Sequence, residues 1–411
     1  MRWLTTLQHA RTAVIADSGP LVKTLRQHCL SMPGGKLDDL GDYSVLDGDL
    51  KQYALFEVDE SPPFLLFRCR DSVRNNLGAK AVRVTKRMDW DTEGWNWCET
   101  DLDGPLPLET LRSLIDDSYQ LVLEDLDDDQ RFEIELITRG LSPEGTLAEL
   151  IKFHKFTKRR QEIESLLRPS LRLTTHDAKH SKLKRGQSRI GGFPDLPESV
   201  TWPLHRSGKP LAFLAQINFS DIPPGSRLPD FPSQGMLYFF SVYGWMEEAE
   251  VEPDLPAGKA APDWTQILYT PDASTSGLKP TKPPAEVNSF PVASVEFHGL
   301  PSLPTDTREP VFGEQKWSGE AKEKYDSLQE TFSAATTHKL GNPPKHQLGG
   351  FADYEQEFVK AVAKEKLQLL FQLASDFNMS WGDDGYLYFW IKPEDLRRCD
   401  FSQVLVDYQC G

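Results

Sequence analysis

Apolar positions along the chain alternate between helical and strand periods. Trp3, Leu4, Leu7, Ala10, Val14 and Ile15 recur at three- and four-residue steps, the spacing of an amphipathic helix. Ser18-Gly19-Pro20 ends that run and opens a second helix through Leu21, Val22, Leu25 and Leu30. Two short strands follow, Tyr53–Val58 and Phe64–Cys69, divided by Ser61-Pro62-Pro63, and a third is expected around Trp95–Leu102. From Leu106 to Leu123 the helical period returns. Pro107 suits its first turn, and Leu111, Leu114, Ile115, Ser118, Leu121 and Val122 share one face. Glu124-Asp125-Leu126-Asp127-Asp128-Asp129 reads as an acidic exit from that helix. Ser142-Pro143-Glu144 then starts a helix whose apolar face uses Leu147, Leu150, Ile151, Phe156, Ile163 and Leu166. Its polar face carries Lys152, Lys155, Lys158, Arg159 and Arg160, and the spacing predicts a connector packed on its neighbours.

Beyond residue 186 the pattern repeats itself. Arg189-Ile190-Gly191-Gly192-Phe193 matches Gln347-Leu348-Gly349-Gly350-Phe351, LAFLAQIN (211–218) matches LQLLFQLA (367–374), and GMLYFF (235–240) matches GYLYFW (385–390). Each copy holds a glutamine inside an apolar strand, Gln216 and Gln372. The segments 189–240 and 347–391 are therefore expected to form equivalent strand pairs with those glutamines at matching positions. A Pro-rich stretch, 251–310, lies between the copies, with strand-like islands at Gln266–Tyr269 and Val292–Phe297. The fold class that follows is α+β. A small antiparallel-sheet domain with helices (1–135) and a basic helical connector (136–169) precede a β-rich, internally duplicated domain (170–411).

Composition narrows the classes of function. The chain has 411 residues, 39% hydrophobic, with 10 Trp and 22 Phe, enough apolar surface for real cores rather than disorder. No apolar run approaches ~18 residues, and Gln8, His9 and Arg11 interrupt the first apolar stretch, so neither a membrane span nor a secretory leader is expected. Five cysteines without a CxxC support neither a disulfide framework nor a Cys-rich zinc site. These features lead to the expectation of a soluble, cytoplasmic protein. The net charge of −16 is uneven. Residues 1–140 carry 16 Lys/Arg against 26 Asp/Glu, residues 141–190 carry 12 against 5, and residues 191–411 carry 18 against 31. Two acidic regions repel a phosphate backbone, so a basic protein is a better partner than nucleic acid. The plain alternative is that the charge only keeps the chain in solution.

Several motifs invite chemistry. Gly191-Gly192-Phe193-Pro194-Asp195-Leu196-Pro197 suggests a phosphate loop, but no Lys-Ser/Thr follows and Pro194 lacks a donor amide. The copy at Gly349-Gly350 lacks the Pro-Asp-Leu-Pro tail, so turn geometry is taken as what the glycines share. His176 and His180 have the spacing of one helical face without a clear third ligand, and read as exposed linker histidines. Asp383 and Asp384, between Gly382 and Gly385, lack the alternating oxygens of a calcium loop and read as a hairpin turn. Gln216 and Gln372 read as amides bonding neighbouring backbone. No catalytic residue, metal site or cofactor is expected.

Two family resemblances rest on these motifs. KQYALFEV (51–58), FLLFRC (64–69) and NWCETDLDGPLPLETLRSLIDDSYQLV (96–122) resemble the MmcQ/YjbR family, most characteristically from Asp101 through Val122. That resemblance implies a frataxin-like α+β domain over roughly 20–135. The family's usual Lys-x-His-Trp run is replaced here by Glu93-Gly94-Trp95-Asn96-Trp97, and its frequent DNA-binding label conflicts with the acidic balance. SRIGGFPDLPESVTWP (188–203), PLAFLAQINFSDIP (210–223), GMLYFF (235–240), HQLGG (346–350) and WGDDGYLYFWI (381–391) resemble the YwqG-like family, of unknown biochemical function. Similar proteins sit beside bacterial toxin genes, which implies toxin neutralisation by association. The expected function is a non-enzymatic, cytoplasmic immunity protein that covers the active site of a basic secreted or effector toxin. The alternatives are a nucleic-acid-binding regulator and an enzyme of unrecognised type in the C-terminal domain. Asp125, Asp127, Asp128 and Asp129 are the first candidates for the partner face, and Glu247, Glu248 and Glu250 the second.

Overall fold

A computed structural model describes residues 19–37, 42–45, 52–58, 60–85, 96–242, 264–271, 275–287, 289–312, 317–340, 345–356, 360–376, 378–383 and 385–410. The first amphipathic run and Glu247, Glu248 and Glu250 lie outside them. The class is α+β, with antiparallel sheets, and the chain divides into two compact units. One unit comprises Met1–Ser142 with Ala334–Asn342, the other Pro143–Ser333 with Pro343–Gly411.

The first unit is built on a six-stranded antiparallel sheet in the order β1 (Gly35–Leu37), β2 (Asp42–Val45), β3 (Gln52–Glu57), β4 (Phe64–Cys69), β6 (Asn96–Asp101), β5 (Arg83–Val84). Helices α1 (Pro20–Ser31) and α3 (Leu108–Asp125) contribute Val22, Leu25, Leu111, Leu114, Ile115 and Tyr119 to a core with Tyr53, Phe67 and Cys98. The short α2 spans Asp71–Leu77. Ser118 on α3 is fully buried because its hydroxyl joins two strands. It donates to the Tyr53 carbonyl (2.7 Å) and accepts from the Arg68 amide (2.7 Å).

The acidic exit corrects the sequence reading. Glu124 and Asp125 still belong to α3, and Asp127 to Asp129 cap and open a further helix, α4 (Asp128–Arg139). Asp127 accepts from the Gln130 amide (2.8 Å) and the Gln130 side chain accepts from the Asp127 amide (3.2 Å), a capping box. Asp128 and Asp129 occupy the first turn, where the helix dipole favours carboxylates. Asp127→Ala is expected to cost about 1 kcal/mol in urea unfolding, with Asp127→Asn retaining most of the stability.

The basic connector is not one helix. α5 (Pro143–Phe153) ends where Lys155 takes a left-handed conformation (φ 63°), and the Phe156 amide reaches back to the Ile151 carbonyl (2.8 Å). That turn lets Phe156 pack against Trp317, 5.7 Å between ring centres, before α6 (Arg160–Glu164) begins.

The second unit holds a ten-stranded antiparallel sheet. Its strands in chain order are β7 (Arg168–Asp177), β8 (Arg189–Ile190), β10 (Ala212–Asn218), β11 (Met236–Ser241), β12 (Thr265–Thr270), β14 (Ala293–Ser302), β15 (His346–Gly349), β16 (Gln368–Ala374), β17 (Tyr386–Ile391) and β18 (Leu405–Gln409). In space the order is β12-β11-β10-β8-β14-β7-β15-β16-β17-β18. The two halves of that order mirror each other about the long central pair β7–β14, so the sequence repeat is a structural pseudo-twofold. A separate pair, β9 (Asp195–Pro197) with β13 (Leu278–Pro280), lies outside the large sheet. Coiling brings strands distant in the order face to face. Phe239 on β11 lies 4.8 Å from Phe371 on β16 and 5.0 Å from Phe389 on β17, ring centre to ring centre. Leu387, Phe389 and Ile391 enter this main core, whereas the alternate residues Tyr386, Tyr388 and Trp390 form a second one with Leu369 and Leu405. Helices α7 (Gly319–Thr337), α8 (Lys360–Glu365) and α9 (Pro393–Arg397) complete the described elements.

Candidate functional site

The repeated motif builds the same polar cluster twice. In the first copy Gly191 and Gly192 adopt φ of 67° and 68°, a left-handed turn, and a Cβ on Gly191 would meet the Pro291 carbonyl at 2.0 Å. The turn delivers Asp195 beneath β10. Gln216 accepts from the Asp195 amide (2.8 Å) and donates to the Gln187 carbonyl (2.8 Å), while the Tyr238 hydroxyl donates to the Asp195 carbonyl (2.8 Å). The Asp195 carboxylate accepts from the Gly186 amide (2.7 Å) and from the Arg189 guanidinium.

The second copy reproduces the glutamine and tyrosine bonds. Gly349 and Gly350 have φ of 63° and 72°, and Gln372 accepts from the Asp353 amide (2.9 Å) and donates to the Lys345 carbonyl (2.7 Å). Tyr388 donates to the Asp353 carbonyl (2.6 Å). Registers agree as well. Gln216 sits opposite Arg189 and Tyr238, Gln372 sits opposite Gln347 and Tyr388, and both glutamine strands carry a bulge just before (Phe213/Ala215, Leu369/Phe371). The two glutamines are thus at matching positions and bond backbone, as the repeat leads one to expect. The reading that only the glycines recur is corrected. Gly-Gly-Phe-Pro-Asp and Gly-Gly-Phe-Ala-Asp share the aspartate too, and its amide and carbonyl are what the glutamine and tyrosine hold.

The cation is where the copies differ. In the first, Arg189 stands on β8 next to Gln216, with Ser294 of β14 beside it. In the second, Gln347 takes the arginine's place and the guanidinium comes from Arg172 on β7, which grips Asp353 through both oxygens (2.7 and 3.3 Å). Both pairs are out of solvent, Arg189 and Asp195 at 1% and 2% side-chain exposure and Arg172 and Asp353 at 11% and 14%. Burial pushes the Asp353 carboxyl up, but Arg172, with help from Lys345 and Gln372, more than reverses that and holds it below the usual carboxylate range. A carboxylate so held is a weak base and an occupied acceptor. The arrangement latches each glycine turn to the sheet.

Beside the second latch lies a carboxyl that periodicity does not reveal. Glu309 is 7% exposed and accepts from the Tyr354 hydroxyl (2.9 Å), one residue past Asp353. Burial raises its pKa to about 7, with Tyr354 and Arg168 pulling it down and Asp306 adding to the rise. Arg168 itself lies over the Phe351 ring, 4.2 Å from its centre.

The other residues singled out in the sequence are dispersed. Asp125 pairs with buried Arg68 (3.2 Å) and Asp128 faces Arg131 (3.8 Å), so the acidic run has structural partners. His176 lies on a strand, 3.7 Å from Glu296, and does not share a helical face with His180. His180 instead stacks on Phe193 (3.4 Å between ring centres) and meets Arg189 (2.9 Å), which ties it to the first latch. Gly382 turns with φ 71° in the loop before β17. Among the described residues no group of three His, Cys, Asp or Glu can hold a metal ion, and no helix is long and apolar enough to cross a membrane.

These latches belong to a class of antiparallel β folds made by duplication. Residues 188–410 match the family described as Domain of unknown function (DUF1963), more than half the chain, and the chain belongs to that family. The matched span covers both glycine turns and the motifs that carry the YwqG-like resemblance, and it begins after β7. No curated protein matches the chain.

Proposed function

We propose that the chain is a non-enzymatic binding protein for a basic protein partner and, more specifically, a cytoplasmic immunity protein that covers a bacterial toxin's active site. One observation carries this reading: an acidic corner where α3 passes into α4. Glu124, Asp125, Asp127, Asp128 and Asp129 are all exposed there, Asp128 with 94% of its side chain accessible. Arg70 and Arg68 pair with Glu124 and Asp125, which fixes the corner without removing its negative excess. Charge fixed between two helices is suited to steering an oppositely charged partner. The toxin-directed form rests on the association of YwqG-like proteins with toxin genes, an analogy rather than a geometric argument. Residues 20–135 we assign to the MmcQ/YjbR-like class. The helix-backed antiparallel sheet and the place of Ser118 and Tyr119 within the characteristic 101–122 segment support this, and the family's DNA-binding label does not carry over.

The test is stopped-flow association of the full chain with the product of the neighbouring gene across a salt series. D128K/D129K, which spares the Asp127 cap, is expected to slow association about tenfold at low salt and flatten its salt dependence. No complex with the wild-type chain, or unchanged rates in the variant, overturns the proposal. Micromolar binding of duplex DNA at physiological salt favours the regulator instead.

A further inference from the structure

The positive charge of residues 141–190 divides into two populations. On the helical half it is neutralised locally at three of five cations, Lys155 and Lys158 being exposed without an ion pair among the described residues. Lys152 pairs with Glu149 (2.6 Å), Arg160 with Glu164 (2.7 Å), and Arg159 with Glu162 (3.4 Å) while also covering the Trp317 ring at 4.4 Å. In the loop after β7 it is not. Lys179, Lys182, Lys184 and Arg185 are all exposed, and among the described residues none of the four makes an ion pair.

Four like charges within seven residues repel one another, so the fold must hold the loop against them. Its root is fastened to the first latch. Gly186 donates to the Asp195 carboxylate (2.7 Å), Asn218 donates to the Gly186 carbonyl (2.8 Å), and Arg189 reaches the Lys184 carbonyl (3.4 Å). Tight turns add Lys182 to Lys179 (2.7 Å) and Gln187 to Lys184 (3.1 Å), amide to carbonyl.

We propose that the loop Lys179–Arg185 is a preformed docking element for a short acidic segment of a protein partner, a second surface separate from the acidic corner. Preformed geometry lowers the ordering cost of binding, and exposed lysines and arginine offer donors to successive carboxylates. A protein segment fits better than nucleic acid. The chain's net charge of −16 repels a long polyanion, while a compact basic island attracts a short one within a Debye length of about 8 Å.

The test uses fluorescence anisotropy of the full chain with a labelled oligo-glutamate peptide, and with a single-stranded oligothymidylate of equal charge as competitor. The peptide is expected to bind in a salt-dependent way. K179Q/K182Q/K184Q/R185Q is expected to weaken binding about tenfold or more, K182Q/R185Q by an intermediate factor, and K152Q/K158Q to leave it unchanged. Unaltered thermal unfolding of the loop variants excludes misfolding as the cause. Absence of peptide binding at low salt, equal binding by the four-site variant, or tighter binding of the oligonucleotide overturns the proposal. None of these outcomes bears on association at the Asp128–Asp129 corner.

Discussion

Arg172→Ser is expected to destabilise the second unit by about 3–5 kcal/mol, the cost of leaving a buried carboxylate without its cation. The loss exceeds that of a surface pair because Asp353 is held in place by Gln372 and Tyr388 through its own backbone and cannot swing into water. The first copy shows a second solution to the same problem, an arginine on β8 with a serine beside it on β14. R172S/Q347R writes that solution into the second copy, and it is expected to recover more than half of the loss. Urea unfolding of both variants decides this. A double variant no more stable than R172S would mean that the two positions are not interchangeable and that the copies have diverged in more than their cation.

Glu309→Gln is expected to change the pH dependence of stability. The carboxyl titrates near 4.5 when free and at about 7 in the fold, chiefly because burial disfavours its charge. Between those values the folded chain keeps a proton that the unfolded chain releases. Stability from this group is therefore full below about pH 4.5 and falls as pH rises, by about 3 kcal/mol once pH passes 7. Glutamine still accepts from Tyr354 but carries no charge, so the variant is expected to be the more stable chain at pH 8 and to lack this slope. Asp407, raised by burial to about 6, leaves a smaller slope of the same sign in the variant. Parallel pH profiles for the two chains would show that Glu309 does not ionise against burial.

What the sequence makes legible follows from where the interactions lie. Gln216 and Gln372 stand out because each interrupts an apolar strand, and strand pairing then fixes their neighbours two at a time. Asp195 and Asp353 stand in the same repeat, but Pro194 and the divergent residues after it draw the eye to the tail instead of the aspartate. Arg172 has no local signature at all. It lies 181 residues from Asp353, on a strand whose alternation is carried by Leu171 and Leu173 alone among Pro169, Thr174 and Thr175. Helix α7 escapes for a similar reason, since its deepest contacts, Tyr325, Leu328 and Phe332, are spread along a mostly polar segment. Asp127 is visible as charge and invisible as a cap, because the helix it starts buries only Ile134 and Leu136.

The order of strands around the central pair has a consequence for how the chain is inherited. β7 precedes the first copy in sequence yet pairs with β15 of the second, and β14 precedes the second copy yet pairs with β8 of the first. The halves have exchanged their leading arms, as two subunits of a swapped dimer do once a linker joins them. Arg172 travels with its arm and serves the other half's aspartate. Neither half keeps a complete sheet when cut from the other, so a truncation in one strips an edge and a countercharge from its twin. Selection on either copy thereby protects both.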